Sequence, residues 1–426
     1  MPRGARTVRG AAAVSAVVAM PVLYAAPMRA DRGRLLAAAA LRATGTSLVG
    51  VLLGIYLAET GLDAGAIGAI STAGLAGAAV AALVITWWGD RWGRRRTLIA
   101  LGLAGALAAA ALLAVESPWA IGALAFLGML NAMGRDRGAA AVLEQATLPG
   151  TVPAERRTLA FAWYAALQDG GHALGSLLAG LPALLVLAFA LPDATAARST
   201  LALYPLLLLA GAALYLRLSP AVEVAPGSRR PVSPPTRRIL RRISALFAVD
   251  GIGGGFLVTT LLSYFFFERF GASPAAVAVL FFAARLANLL SNFGAAWLAR
   301  RFGLVNTMVF THIPASLLLI AVAFVPSFPL AAALFLLREC LVEMDVPTRQ
   351  SYVMAVVAPE ERTVASGVTN LVRLAGWATG PVLAGLAMDH LSLGAPLLLG
   401  AGIKIGYDLM LYGAFRRLRP PEERSG

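Results

Sequence analysis

Twelve apolar stretches of about 20 residues or more recur along the 426-residue chain. A helix of about 20 residues is long enough to cross the hydrocarbon core of a bilayer. The stretches do not alternate apolar and polar residues as the strands of a membrane barrel would. The pattern predicts an all-α polytopic membrane protein with twelve transmembrane helices. These spans cover roughly residues 34–58, 65–88, 97–115, 118–147, 158–188, 199–217, 243–267, 273–298, 305–325, 328–356, 363–388 and 394–413.

Composition excludes two other classes of protein. Charged residues make up 14% of the chain and apolar residues 59%, whereas soluble domains contain about 25% charged residues. An ordinary soluble enzyme is therefore excluded, and so is an intrinsically disordered chain, because there is ample apolar surface to bury. The net charge of +14 would indicate nucleic-acid binding in a soluble protein, so its distribution along the chain decides its meaning.

The positive charge is concentrated in alternate connections between the spans. Counted as Arg minus Asp and Glu, these connections and the two tails carry +17, while the intervening connections carry −4. This is the positive-inside pattern of membrane proteins. It predicts a multi-pass protein of the inner (plasma) membrane with both termini in the cytoplasm, in contact with the lipid bilayer and without a nucleic-acid partner.

The first 33 residues are predicted to form a cytoplasmic tail. Arg3, Arg6 and Arg9, followed by the apolar run 11–20, resemble the first two regions of a signal peptide. A thirteenth span here would place the basic N-terminus outside or invert every later span, and we exclude it. Two explanations stay open: a tail at the membrane interface, or a native chain that begins at Met28.

A polar linker divides the spans into six and six. Residues 218–242 contain five prolines and six arginines, and they separate a bundle at 34–217 from a bundle at 243–413, which is followed by a tail at 414–426. At an offset of 205 residues, 10 of the 26 positions from 155 to 180 are identical between the bundles. A parallel repeat of this kind predicts two pseudo-symmetric six-helix bundles related by an axis along the membrane normal.

The connection between spans 2 and 3 carries a recognisable motif. It reads Gly89-Asp90-Arg91-Trp92-Gly93-Arg94-Arg95-Arg96. This resembles the signature loop of the major facilitator superfamily, Gly-x-x-x-Asp-Arg-x-Gly-Arg-Arg/Lys, with Thr86 in place of the leading glycine. A degenerate copy without the acidic residue lies at 300–303, between spans 8 and 9. The resemblance implies a transporter of two six-helix bundles and covers nearly the whole chain after Arg34.

The resemblance also implies a gate at this loop. In the family the loop latches the two halves together in the outward-facing state, which makes Asp90 and Arg91, between Gly89 and Gly93, the gating candidates. Arg94 belongs to the same motif. Together with the two arginines that follow it, Arg94 is also explained as an ordinary charge that sets the membrane topology.

A glycine pattern recurs in spans 5 and 11. It resembles the antiporter motif of drug exporters, although Ser176 replaces the motif's proline in span 5. Small residues at four-residue spacing also let helices pack closely in lipid, so a helix-packing role stays open. The pattern comprises Gly171, Gly175 and Gly180 in span 5 and Gly376, Gly380, Pro381 and Gly385 in span 11.

Charges within the spans indicate a polar cavity. A charge at the bilayer centre costs about 2.5–3.5 kcal/mol on insertion scales, so these residues should face water or one another. In the family, spans 1, 4, 7 and 10 surround the substrate cavity. In span 4, Arg135 and Arg137 lie about 200° apart around a helix and cannot both face the cavity. Ion pairs that only hold the bundle together are the alternative. The predicted cavity residues are Arg42, Arg135, Arg285, Arg338 and Arg373.

Coupling to protons requires a group whose protonation changes during the transport cycle. A carboxylate close to a cavity arginine meets this requirement, because movement of the substrate near the arginine changes how strongly the carboxylate holds its proton. The candidates are Asp136, Asp169, Asp250, Glu343 and Asp345.

Residues needed for several other functions are missing from the sequence. Cys340 is the only cysteine and there are three histidines, which argues against a zinc site and excludes an intrachain disulfide. The only lysine, Lys404, is followed by Ile405 and not by the Ser or Thr of a phosphate-binding loop. An intramembrane enzyme would need a catalytic motif such as His-Glu-x-x-His, or Gly-x-Ser with an identified partner histidine. The sequence offers no such combination. We therefore expect no cofactor, no metal and no enzymatic activity.

These patterns predict a secondary active transporter of a small organic solute. It would work by alternating access as a monomer, driven by protons, and would export its solute. The alternative within transport is a proton-coupled uptake symporter for an organic anion, indicated by the intramembrane arginines. A non-transporting receptor on a transporter scaffold is a more remote alternative.

Overall fold

The computed structural model describes residues 7–136, 138–153, 156–223, 233–342, 344 and 362–415. Within them only the backbone is described at residues 7–27, 90, 158, 235, 292–296, 299–300, 304–305, 362–366 and 414–415. These described residues contain many helices and no β-strand. Nine helical segments of this part are long and apolar enough to cross a membrane, which confirms the predicted all-α polytopic architecture.

The first half of the chain forms spans 1 to 6, three of which consist of two shorter helices. They are α1 (Thr7–Glu59), α2 (Ala64–Trp92), α3 (Arg94–Leu112), α4 (Pro118–Leu127) with α5 (Ala139–Thr147), α6 (Arg157–Leu178) with α7 (Leu181–Phe189), and α8 (Asp193–Leu201) with α9 (Leu203–Leu216).

The second half forms spans 7 to 12. They are α10 (Pro234–Gly255) with α11 (Thr259–Phe270), α12 (Pro274–Phe302), α13 (Leu304–Phe324), α14 (Phe328–Val342), α15 (Arg362–His390) and α16 (Ala395–Phe415). Residues 345–361, which include the predicted end of span 10, lie outside the described residues.

Two helices extend into segments that the sequence assigns to a tail and a linker. The backbone of α1 is helical from Thr7, well before the predicted start of span 1, in agreement with the high helix propensity of its many alanines. Helix α10 begins at Pro234, inside the predicted linker. Proline is well suited to the first turn of a helix, where its missing N–H has no partner to lose.

Span 4 is not the continuous helix that its apolar length predicts. Helix α4 ends at Leu127 and α5 begins at Ala139, and φ is +54° at Met129 and +64° at Gly134. Three glycines in and beside this segment, at 128, 134 and 138, lower its helix propensity. The predicted 200° separation of Arg135 and Arg137 is therefore wrong, because Arg135 lies in the non-helical segment; Arg137 lies outside the described residues.

The two glycine patterns pack in equivalent ways in the two halves. A Cβ on Gly175 would lie 2.0 Å from the Thr44 carbonyl oxygen of span 1, and one on Gly380 would lie 2.3 Å from Gly255 of span 7. Gly171 and Gly376 contact the same two spans. The last glycine of each pattern instead contacts the other half: Gly180 lies against Ala278 of α12, and Gly385 against Ala64 of α2. Each pattern thus packs on the first span of its own half and the second span of the other.

The largest core shared by the two halves lies at one end of the bundle. We call this the acidic end, because Glu59, Asp63, Glu116 and Asp389 lie there; the arginine-rich end carries Arg91–Arg96 and the other basic connections. The largest cluster of buried apolar side chains lies towards the acidic end and includes Leu52 of the first half and Phe265 of the second.

Towards the arginine-rich end, two smaller clusters each lie within one half: one surrounds Ile243 and Tyr407 in the second half, and another surrounds Leu148 and Tyr164 in the first. A third cluster still joins the halves, because it contains Leu98 of α3 and Trp377 of α15. In the turns of α6 near this end, residues 159–167 are exposed except at positions 160 and 164. The shared core of the two halves is therefore largest at the acidic end, and their contacts are fewer towards the arginine-rich end.

Candidate functional site

A polar cavity lies mainly within the second half, and Met133 and Arg135 of span 4 contribute to its wall from the first half. Its lining comes from spans 4 and 7 to 12. Four of the five predicted cavity arginines line it, and Arg42 does not. The charged and titratable residues of its described lining are Arg135, Asp250, Arg285, His312, Arg338, Glu339, Arg373 and Lys404.

Two interrupted spans meet at the wall of this cavity. The non-helical segment of span 4 faces the break between α10 and α11, where the Thr259 hydroxyl donates to the Met133 carbonyl (2.7 Å). The backbone N–H and the hydroxyl of Thr260 both donate to the Ala132 carbonyl, at 3.2 and 3.1 Å. Non-helical backbone at membrane depth is stable only where protein buries it or a cavity hydrates it, and these contacts supply the burial.

Arg285 of α12 reaches the same junction from span 8. Its Nη2 donates to the Gly134 carbonyl (3.1 Å) and to the Thr259 hydroxyl (3.4 Å). The side chain is buried. It therefore connects the second half to the non-helical segment of the first while it contributes a positive charge to the cavity.

Asp250 of α10 holds two cations of the cavity. Its carboxylate lies 3.1 Å from Lys404 Nζ and 3.2 Å from Arg373 Nη2. The Arg373 guanidinium also stacks on Trp377, 4.6 Å from the ring centroid. Asp250 is buried, so its charge is balanced by side chains of spans 11 and 12 rather than by water.

A second charged pair lies on α14. Arg338 forms an ion pair with its neighbour Glu339, and its guanidinium lies 5.8 Å from the centroid of the Phe335 ring. Asn288 of α12 donates to Glu339 Oε2 (2.7 Å). The Glu339 carboxylate is therefore contacted by Asn288 of span 8 and by Arg338 of span 10.

His312 of α13 completes the charged lining. Its Nδ1 lies 2.9 and 3.0 Å from the two carboxylate oxygens of Asp408, and both residues are buried. Neither residue was predicted to belong to the site, and neither was Lys404. A titratable residue within an apolar span could have identified all three as candidate site residues. The clearest case is Lys404, which is the only lysine of the chain.

Arg42 belongs to a separate network inside the first half. Its Nε donates to Asp136 Oδ2 (2.7 Å), and its two terminal nitrogens donate to Glu144 (3.0 and 2.5 Å). Tyr164 and Tyr215 also donate to Glu144, at 2.8 and 2.5 Å. These residues join spans 1, 4, 5 and 6.

The five proton-coupling candidates lie in different places. Asp250 lines the polar cavity, and Asp136 belongs to the Arg42 network. Asp169 is 40% exposed, with its carboxylate 4.0 Å from His172 Nδ1. Glu343 and Asp345 lie outside the described residues.

The predicted gating loop forms the sharp turn between α2 and α3. Gly93 has φ +88°, a conformation that favours glycine, and Gly303 has φ +83° at the degenerate copy between α12 and α13. Gly89 is buried, and Arg91 is exposed in the last turn of α2. Asp90 also lies in that turn, but its side chain lies outside the described part.

Arg94 has more than a role in topology. Its side chain is buried and donates to the Ala146 carbonyl (3.1 Å). Its backbone N–H and that of Arg95 donate to the Glu223 carboxylate, at 2.6 and 3.1 Å. The start of α3 is therefore fixed both to α5 and to the segment that follows span 6.

Across the described residues, no group of three or more His, Cys, Asp or Glu side chains is placed to hold a metal ion. The described lining of the cavity presents cations, carboxylates and aromatic rings.

The sequence is similar to known membrane proteins along most of its length. It matches the family model of the Major Facilitator Superfamily over residues 35–381 and 243–426. It is 24% identical over 407 residues to an uncharacterised membrane protein of Saccharomyces cerevisiae, a match that covers 87% of this chain and 91% of the relative.

Two solved structures share the fold. The nucleoside transporter NupG superposes with a TM-score of 0.70 at 16% identity, over 91% of this chain and 99% of that structure. An auto-inhibited POT family peptide transporter superposes with a TM-score of 0.71 at 11% identity, over 91% of this chain and 97% of that one. Because these two proteins are named for different solutes, the fold leaves the solute to be argued from the cavity.

Proposed function

The chain belongs to the major facilitator superfamily, and we propose that it is a proton-coupled secondary transporter of a small organic anion. The proposal rests on the convergence of four arginines and one lysine on the polar cavity. Transport would proceed by alternating access, as the two halves rock about the cavity.

The charge balance of the cavity supports an anionic solute. Its described lining carries five Arg or Lys side chains and two carboxylates, Asp250 and Glu339. A cavity whose described lining carries more cations than carboxylates attracts an anionic group such as a carboxylate or a phosphate. Phe335 and Trp377 hold two of the guanidinium groups and offer apolar surface to an organic body.

The uneven packing of the two halves supports an inward-facing conformation. The arginine-rich connections define the cytoplasmic side by the positive-inside rule, and the largest core shared by the two halves lies at the opposite, acidic end. In this proposal both termini are cytoplasmic, the protein acts as a monomer in the inner membrane, and the cavity of the described conformation receives solute from the cytoplasm.

The Asp250 cluster supports coupling to protons. In the described state its carboxylate is paired with Lys404 and Arg373. Protonation of Asp250 would remove the charge that pairs both cations and leave them to bind an anionic solute. Proton and anion would then bind together, which favours the predicted uptake symport; proton-driven export is the second candidate, supported by the glycine patterns of spans 5 and 11.

A thermal-shift screen of the purified protein tests the substrate class. Mono- and dicarboxylates, organophosphates and matched uncharged compounds are added at equal concentration. We expect only anions to raise Tm, and the rise to be lost in Arg338→Ala and Arg135→Ala. Arg269→Gln, an exposed cation at the end of α11, is the control and should retain it. Equal stabilisation by uncharged analogues would contradict an anionic substrate.

Flux in proteoliposomes tests the coupling. With the anion found in the screen, uptake should be stimulated by an inwardly directed proton gradient, and Asp250→Asn should transport without that stimulation. Asp169→Asn is the matched control, because its carboxylate is half exposed and lies outside the cavity lining. Stimulation that persists in Asp250→Asn would exclude Asp250 as the coupling residue, and efflux driven by the opposite gradient would favour export.

A further inference from the structure

One hydrogen-bonded contact joins the two halves at the acidic end. Asp389, near the end of α15, accepts a hydrogen bond at Oδ2 from the backbone N–H of Gly65 (2.7 Å) and one at Oδ1 from that of Ala64 (3.2 Å). Asp389 belongs to the second half, and the two N–H groups form the start of α2 in the first half. The contact therefore crosses the boundary that alternating access must open.

The start of α2 is well suited to bind a carboxylate from another helix. The first N–H groups of a helix have no partner within it, and the helix dipole places partial positive charge there. Asp63, the N-cap of α2, accepts from the N–H of Ala66 (2.8 Å), which leaves the two preceding N–H groups to Asp389. A Cβ on Gly65 would lie 2.7 Å from Asp389 Oδ2, so the glycine makes room for this approach.

The neighbouring contacts between α2 and α15 are closely packed, whereas Asp389 itself is exposed to solvent. A Cβ on Gly68 would lie 2.3 Å from the Pro381 carbonyl oxygen. One turn further along, the Thr72 hydroxyl accepts from the N–H of Val382 (3.0 Å). Helices α2 and α15 thus meet backbone to backbone, and Asp389 forms the charged contact at the end of their interface.

We propose that Asp389 is a gate residue that stabilises the state closed at the acidic end. Its carboxylate leaves the N-terminus of α2 whenever that end opens, so the contact sets how often the transporter adopts the outward-open state. The inference rests on the proposed transport by alternating access, and it does not depend on the identity of the solute.

The test measures the distance between the two halves directly. In a Cys340→Ser background, spin labels are attached to Ser117→Cys and Ser327→Cys. Both serines are exposed in connections at the acidic end of opposite halves. Distance distributions are recorded by double electron–electron resonance in lipid nanodiscs for the parent, Asp389→Ala and Asp389→Asn. The matched control is Asp63→Ala, which removes a cap of the same helix but no contact between the halves.

We expect a short distance to dominate in the parent. The ratio of long to short distances should rise about fivefold in Asp389→Ala, in proportion to the loss of a charge-assisted contact at a helix terminus. Asp389→Asn keeps the size of the side chain and one hydrogen-bond acceptor, so its ratio should rise less. This variant replaces Asp389→Ala in the test if the alanine variant does not fold. An unchanged ratio in the Asp389 variants, an equal rise in Asp63→Ala, or a parent dominated by the long distance would overturn the proposal. Because no solute is present, failure of the anion proposal would leave this result unaffected.

Discussion

Glu144 Oε2 lies 2.5 Å from Arg42 Nη2, although 102 residues separate the two side chains along the chain. Glu144 is fully buried and also accepts hydrogen bonds from two tyrosines. Asp136 takes a further N–H of the same guanidinium. Arg42 therefore balances two buried carboxylates and ties span 1 to span 4.

Removal of Arg42 should destabilise the protein strongly. Arg42→Met leaves Asp136 and Glu144 buried without their cation, and breaking a buried ion pair in this way costs about 3–5 kcal/mol. We expect a large fall in Tm of the detergent-solubilised protein. Adding Glu144→Gln to Arg42→Met should recover part of the loss, because it removes one of the two uncompensated charges. The exposed control Arg269→Met should unfold like the parent, and a parent-like Arg42→Met would show that the network does not stabilise the fold.

The repeated glycines should be intolerant of alanine at the positions of closest approach. A methyl group on Gly175 or Gly380 would overlap backbone atoms of α1 or α10. Overpacking of this kind costs about 1–3 kcal/mol or more, so we expect lower Tm or loss of monodisperse protein in gel filtration.

Controls for these variants lie in the same two helices. Nothing lies within 4 Å of a Cβ built on Gly170 in α6 or on Gly367 in α15. Gly170→Ala and Gly367→Ala should match or exceed the parent in stability, by up to about 1 kcal/mol. Equal losses in all four variants would mean that helix packing is not the reason the pattern recurs.

Lys404 should react with reagents that enter from the arginine-rich end. Because it is the only lysine of the chain, a membrane-impermeant, amine-reactive ester gives one side-chain adduct, identified by mass spectrometry. We expect faster labelling in everted than in right-side-out vesicles, because the proposed inward-facing state opens the cavity to the cytoplasmic side. Asp250→Asn should accelerate the reaction, because it removes the carboxylate 3.1 Å from the amine. Lys404→Arg is the control for labelling of the N-terminus, and faster labelling in right-side-out vesicles would contradict the inward-facing assignment.

Glu223 should stabilise the turn that carries the signature loop. Glu223→Ala removes the acceptor for the first two N–H groups of α3, and loss of a helix cap costs about 0.5–2 kcal/mol. We expect a moderate fall in Tm, with Glu223→Gln intermediate because it keeps an acceptor but no charge. Glu116→Gln, an exposed acid at the other end of the bundle, should have no effect. If Glu223→Ala leaves Tm unchanged, the contact contributes nothing measurable to stability.

Hydropathy and the signature motif made part of this structure predictable from the sequence. The apolar stretches gave the helical, polytopic architecture, because a segment's length and hydropathy decide whether it can cross a bilayer. The signature motif located the connection between spans 2 and 3 and its degenerate copy between spans 8 and 9, where Gly93 and Gly303 adopt equivalent positive φ angles. The break in span 4 was missed because the apolar stretch as a whole is long enough for one continuous helix, whereas contacts with Thr259, Thr260 and Arg285 of the second half satisfy backbone groups of its non-helical segment.

The sequence alone determined which charges lie within the membrane, but the tertiary structure decided which of them meet. Asp250 and Lys404 are 154 residues apart, and their contact depends on how α10 and α16 are rotated against each other. Arg42 carries the same intramembrane signal as Arg338, yet one joins a buried network and the other lines the cavity. Membrane insertion depends on local hydropathy, which each segment carries by itself. A site between helices depends on packing between segments far apart in the chain, which no local pattern records.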